Sequence, residues 1–142
     1  MQILKSPEII VVDANPILSA LIGGSASKIF WSSKINVFAT AEFILEEVRR
    51  YLPKLAAKAG LETEIILMDL ALLPLRIHSQ SFYKEFLEIA EKLIGERDPK
   101  DIDLLALTLK LKAPLWTNDR DFEGTGVQFF PTARLLKLLS SI

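Results

Sequence analysis

Four acids in this chain stand where an acid needs a reason: Asp13, Glu47, Asp101 and Asp119. Asp13 ends "IIVVD", where Ile9 to Val12 read as a short continuous strand buried on both faces. A charge at the end of such a strand either makes a turn with Asn15 and Pro16 or delivers a carboxylate to a site. Asp119 ends a second apolar segment, "PLWTNDRDF", and a turn explains one acid there more readily than the whole "TNDRD" cluster. Glu47 falls among Phe43, Ile44, Val48, Tyr51 and Leu52, the apolar face of a helix predicted from Ala41 to about Tyr51. A carboxylate facing inward needs a partner or takes up a proton. Its neighbour Glu46 points elsewhere, one turn before Arg50, and suits a surface ion pair. Asp101 lies in the first turn of "DPKDIDLLALTLKLK", after the Asp98 cap and Pro99, where the helix dipole alone favours an acid. Asp103 is rotated away from it and is expected to be solvated.

Carboxylates that converge repel one another. At ~4 Å and an effective dielectric of about 20, each pair costs ~4 kcal/mol. Protons or a cation must neutralise such a cluster. The chain has no cysteine and one histidine, His78, so thiolate and two-histidine metal sites are excluded, as are disulfides and cysteine nucleophiles. Oxygen-only donors select hard ions, Mg2+ or Mn2+, and a site of that kind suits phosphoryl transfer. His78 reads as a loop or helix-start residue, and Trp31 and Trp116 as core.

Elements that could position these acids follow from pattern. Strands are expected at "EIIVV", "INVFAT", "LLPLRI", "PLWTN" and "VQFF", the third near an edge because of its proline. Between them come a helix closed by Gly23 and Gly24, a short one beginning near Ser25 or Ser27, the Glu47 helix capped by Thr40, and another from Leu55 to about Asp69 broken at Gly60. "QSFYKEFLEIAEKLIG" reads as amphipathic, with Phe82, Phe86, Ile89, Ala90 and Leu93 inward, and a last helix starts at Thr132. Alternating strands and helices imply an α/β fold with a parallel sheet, in which ligands bind beyond the carboxyl ends of the strands. Asp13 and Asp119 both fall there.

At 142 residues one domain is expected over 1–142, and a net charge of −1 argues against broad electrostatic binding to nucleic acid while allowing a local basic patch. Arg49, Arg50 and Lys54 either guide a phosphate backbone or form a solvated helix face. The most apolar segment, "EIILMDLALLPLRI", is interrupted by Asp69, Pro74 and Arg76 and falls short of the ~20 residues of a membrane span. No signal peptide is apparent, and the cysteine-free composition suits the cytoplasm.

The segments "VVDANPILSAL", "AEFILEEVRR" and "RDPKDIDLLALTLKLKAPLWTNDRDF" together resemble the PIN domain, a family of metal-dependent ribonucleases. The resemblance spans nearly the whole chain. It implies a three-layer α/β/α fold with a central parallel sheet of about five strands and an acidic pocket that binds Mg2+ or Mn2+. It assigns both catalysis and metal binding to Asp13, Glu47, Asp101 and Asp119, with Asn15, Thr117, Asn118 and Asp121 in supporting roles. The implied substrate is RNA. Small VapC-type members are toxins of toxin–antitoxin pairs, which implies an antitoxin partner and a homodimer. Two other readings stay open: a haloacid-dehalogenase-like phosphatase, which needs a second acid where this chain has Asn15, and a non-catalytic PIN module that binds RNA or protein.

Overall fold

The computed structural model describes residues 7–95 and 98–141. Five strands form one parallel sheet in the order β3-β2-β1-β4-β5: β1 (Ile9–Val12), β2 (Val37–Ala41), β3 (Leu75–His78), β4 (Leu115–Trp116) and β5 (Phe129–Phe130). The β-branched residues Ile10, Val11 and Val12 are fully buried, as a central strand covered on both faces requires. β1 pairs with β2 on one side and β4 on the other, so the chain reverses its direction of travel across the sheet at β1. The crevice beyond the carboxyl ends of β1 and β4 is therefore the topological switch point where α/β folds bind ligands.

Eight helices surround the sheet among the described residues: α1 (Ala14–Leu21), α2 (Ala26–Phe30), α3 (Glu42–Ala59), α4 (Thr63–Leu72), α5 (Gln80–Tyr83), α6 (Leu87–Ile94), α7 (Pro99–Leu111) and α8 (Thr132–Ser140). No helix among the described residues is long and apolar enough to cross a membrane. Under the switch point, Trp116 packs on Phe30 at 4.9 Å between ring centroids and on Phe38 at 6.2 Å, so strands and helix share an aromatic floor.

Several elements differ from the pattern-based expectation. The Glu47 helix does not stop near Tyr51 but runs 18 residues through Pro53 to Gly60. Pro53 is exposed, so the carbonyl that it leaves without a helical donor can turn to water and the helix survives. Gly60 then ends it in the left-handed conformation at φ 71°. The helix expected from Leu55 to Asp69 is thus the tail of α3 followed by the separate α4. Thr40 does not cap α3. It is a fully buried residue of β2, and its hydroxyl donates to the Val12 carbonyl at 2.8 Å.

The expected single helix after His78 is divided into α5, a 3-10 turn at Lys84–Phe86, and α6. That change of helical pitch rotates the inward face, burying Tyr83, Ala90 and Ile94 and leaving Phe82, Ile89 and Leu93 exposed. Phe43 and Tyr51 are likewise exposed on α3, where Ile44, Val48 and Leu52 carry the core contacts. Trp31 is 64% exposed rather than core, whereas Trp116 is fully buried. His78 ends strand β3 and stacks on Phe82 at 4.2 Å.

Candidate functional site

The four acids reach the same pocket from four different elements. Asp13 follows β1, Glu47 lies on α3, Asp101 is in the first turn of α7, and Asp119 follows β4. They line a cavity of about 360 Å³ together with Asn15, Asn118, Leu18, Tyr51 and Lys100. Glu46, one residue from Glu47, is exposed, which settles the register of α3 in favour of Glu47.

Asp13 is the best anchored. It is the N-cap of α1, and its Oδ1 accepts from the Ala14 amide at 2.7 Å while Oδ2 accepts from the Thr117 hydroxyl at 2.7 Å. Desolvation pushes its carboxyl above the usual range, the two hydrogen bonds oppose this, and the nearby charges of Glu47 and Asp119 reinforce it. Thr117 also accepts from the Asp119 amide at 3.0 Å, so one buried hydroxyl sets both strand-end acids. Asp119 caps the 3-10 turn Arg120–Phe122, accepting from the Asp121 amide at 2.9 Å through Oδ1. Asp121 itself is exposed and outside the residues lining the cavity.

Asn118 ties three elements together. Its amide nitrogen donates to Asn15 Oδ1 at 2.8 Å and to the Thr132 hydroxyl at 3.1 Å, and its oxygen accepts from the Thr132 amide at 2.9 Å. Thr132 in turn accepts from the Trp116 indole at 3.0 Å. This clamp joins the start of α1, the end of β4 and the start of α8. Sequence reasoning named Asn15, Thr117 and Asn118 but not Thr132, whose only local signal is that it begins a helix.

Asp101 is half-buried, with its carboxyl pushed up to about 6 by desolvation first and then by the charges of Asp13, Asp119 and Asp98, against a lowering by Lys100. Glu47 is more sheltered, its side chain 14% exposed, and its Oε1 lies 2.7 Å from the Lys100 ammonium. Lys100, unanticipated from the sequence, also reaches Asp98 Oδ2 at 3.1 Å.

Asp103 is a correction. Far from solvated, it is 3% exposed and accepts from the Tyr83 hydroxyl at 2.5 Å and from Gln80 at 3.1 Å. Helix α7 is buried continuously from Asp103 to Thr108, so this stretch offers no solvated face to point to. Burial, followed by the hydrogen bond to Asp103, raises the Tyr83 phenol well above its ordinary range and keeps it protonated as the donor.

The donor set fits a hard cation. It is all oxygen, it carries more negative than positive charge, and burial first and neighbouring carboxylates second raise the proton affinity of both Asp13 and Asp101. Among the described residues, however, no three acidic or histidine side chains approach closely enough to enclose an ion. The acids share a pocket without being closed around a point, and Glu47 is engaged by Lys100.

The solved structures most informative here are of VapC-containing systems. A chain of the VapBC2 complex from Rickettsia felis, bound to a DNA fragment from its promoter, superposes with a TM-score of 0.63 at 19% identity, covering 87% of this chain and 98% of that one. VapC20 of Mycobacterium tuberculosis, a sarcin–ricin loop cleaving toxin, gives a TM-score of 0.58 at 20% identity over 83% of this chain and 95% of its own. At such identities the likeness is one of fold. No curated protein matches at a significant level. The PIN domain family model matches residues 11–140, from the middle of β1 to the end of α8 and across all four acids. This chain belongs to the PIN domain family.

Proposed function

We propose that this PIN domain is a ribonuclease that uses Mg2+ or Mn2+, held by Asp13, Glu47, Asp101 and Asp119, to hydrolyse RNA phosphodiester bonds. The observation that carries the reading is the convergence of these four carboxylates, from four separate elements, on the crevice beyond β1 and β4. A bound divalent ion offsets the carboxylate and phosphate charges and makes a water acidic enough to be deprotonated near neutral pH. The chain's own residues supply position. Thr117 and the Ala14 amide fix the Asp13 carboxylate, and the Asp121 amide holds Oδ1 of Asp119. Water attacks phosphorus, one P–O ester bond breaks, and the departing oxygen takes up a proton. No imidazole takes part: His78 lies at the end of β3, outside the residues that line the pocket. Exposed Arg50 and Lys54, on the helix that carries Glu47, supply positive charge for the RNA backbone.

The VapC-type neighbours, one from a VapBC complex and one a toxin, support a further assignment as the toxin of a toxin–antitoxin pair, and with it we propose a cytoplasmic homodimer silenced by a small partner protein. Co-purification with the product of a neighbouring short reading frame tests that assignment. RNA cleavage in Mn2+ or Mg2+, with and without chelator, tests the nuclease. Turnover is expected to vanish with chelator and to fall at least ~100-fold in Asp13→Asn and Asp119→Asn, a loss of about 2.7 kcal/mol or more of transition-state stabilisation. Activity surviving both substitutions rules the mechanism out, and tight RNA binding without turnover in any metal favours a non-catalytic binding module.

A further inference from the structure

Among the described residues that line the acidic pocket, Lys100 is the one cation. The Lys100 ammonium lies 2.7 Å from Glu47 Oε1 and 3.1 Å from Asp98 Oδ2, and its side chain is 28% exposed. Asp98 is the more open partner, its side chain 52% exposed, against 14% for Glu47. Lys100 thus spans the pocket from the rim to the interior. Glu47 adds to the charge felt by Asp13, and Lys100 lowers the proton affinity of Asp101.

We propose that Lys100 is an internal counter-cation that keeps Glu47 out of the ligand set until a divalent ion displaces it toward Asp98. The inference rests on reading the pocket as a divalent-cation site. An ion arriving near Asp13, Asp101 and Asp119 must approach a fixed positive charge and compete with it for Glu47. Once Glu47 is released, Asp98 keeps the ammonium paired at the rim, so the exchange strands no charge in a dry environment. The arrangement also accounts for four acids sharing a pocket while no three enclose a point.

The test is calorimetric titration of the full chain with Mn2+ alone, without RNA. Lys100→Met and Lys100→Gln remove the charge, and the glutamine keeps a hydrogen-bond donor for Glu47 should the methionine variant fold poorly. Both are expected to bind Mn2+ about tenfold more tightly than the parent, equivalent to about 1.4 kcal/mol. Lys100→Arg, which keeps the charge, is expected to stay within about twofold. In chelator the two neutral variants should melt below the parent, and saturating Mn2+ should raise their melting temperatures more than the parent's. If the parent binds Mn2+ and Asp13→Asn abolishes binding, but the neutral variants bind no more tightly than the parent, the counter-cation role is overturned and the cation site stands. If neither the parent nor the neutral variants bind, both fall.

Discussion

Replacing Asp101 by asparagine should make the metal-free protein more stable, because the wild-type carboxylate is held where its charge is unwelcome. Its carboxyl titrates at about 6, against 3.8 for an unperturbed aspartate. At about 1.36 kcal/mol per pH unit this difference would destabilise the charged form by about 3 kcal/mol. Asp101 is only half-buried, and solvent screening reduces the expected effect to about 1–2 kcal/mol. The sign follows from linkage. A carboxyl whose pKa is raised on folding binds its proton more tightly in the native state, so its contribution is unfavourable above about 6 and fades as pH falls toward 3.8.

Asparagine removes the charge at every pH. The gain from Asp101→Asn should therefore be full at pH 7.5, about half as large at pH 5, and absent below both values. His78 adds to the pH profile of each protein, because its lowered pKa makes the protein lose stability as pH falls through 6.5. That contribution is common to both proteins and cancels in their difference. Asp98 and Glu85, whose carboxyls are held below their usual values, change only at lower pH. The assay is thermal unfolding of both proteins in chelator at pH 5 and 7.5, where 1–2 kcal/mol corresponds to roughly 3–8 °C in melting temperature. A variant no more stable than the parent at pH 7.5, or a gain that grows on acidification, would refute the electrostatic account of the pocket.

Three further outcomes follow from the same contacts. Thr117→Val keeps the buried shape but removes the donor to Asp13 and the acceptor for the Asp119 amide, and Mn2+ affinity should fall about 10–100-fold in calorimetry. Unchanged affinity would show that the hydroxyl does not organise the acids. Tyr83→Phe leaves the buried Asp103 with Gln80 as its side-chain hydrogen-bond partner among the described residues and should cost about 1.5–3 kcal/mol in chemical denaturation, with RNA cleavage within about twofold of the parent. A large loss of activity at full stability would instead connect Asp103 to the site through α7. Saturation with Mn2+ to about 100 times its Kd should stabilise the parent by about 2.7 kcal/mol, and Asp13→Asn should abolish that increment in a thermal melt.

The acids were legible because each marks the end or face of an element through local pattern alone. "IIVVD" declares a buried strand and its terminus in five letters, and "DPKD" declares a helix start. Glu47 was legible because its neighbours define a face, even though two of them, Phe43 and Tyr51, are exposed. The Tyr83–Asp103 bond joins residues 20 positions apart on different helices. Nothing local signals that Asp103 faces α5 rather than water. Lys100 was hidden by its neighbours, because a lysine between Pro99 and Asp101 in a first turn is unremarkable until α3 brings Glu47 to it. The helix runs past its expected stop near Tyr51 because Pro53 falls on the exposed side of α3, where it is harmless.

The four carboxylates are not equivalent, and the difference has a physical origin. Asp13 caps α1, Asp101 lies in the first turn of α7, and Asp119 caps a 3-10 turn, so three of them sit where backbone N–H groups lack helical partners. The Ala14 and Asp121 amides hold Asp13 and Asp119 and offset part of the mutual repulsion without any metal. Glu47 lies within α3, where the surrounding N–H groups are already committed to the helix. A side-chain cation is its remaining source of compensation, and Lys100 provides it. The main chain thus holds Asp13 and Asp119, while a salt bridge that can exchange holds Glu47. Glu47 is the ligand that can move, and Glu47→Gln should disturb metal-free stability less than cation affinity. Equal losses in both would place Glu47 among the fixed acids and remove the basis for exchange.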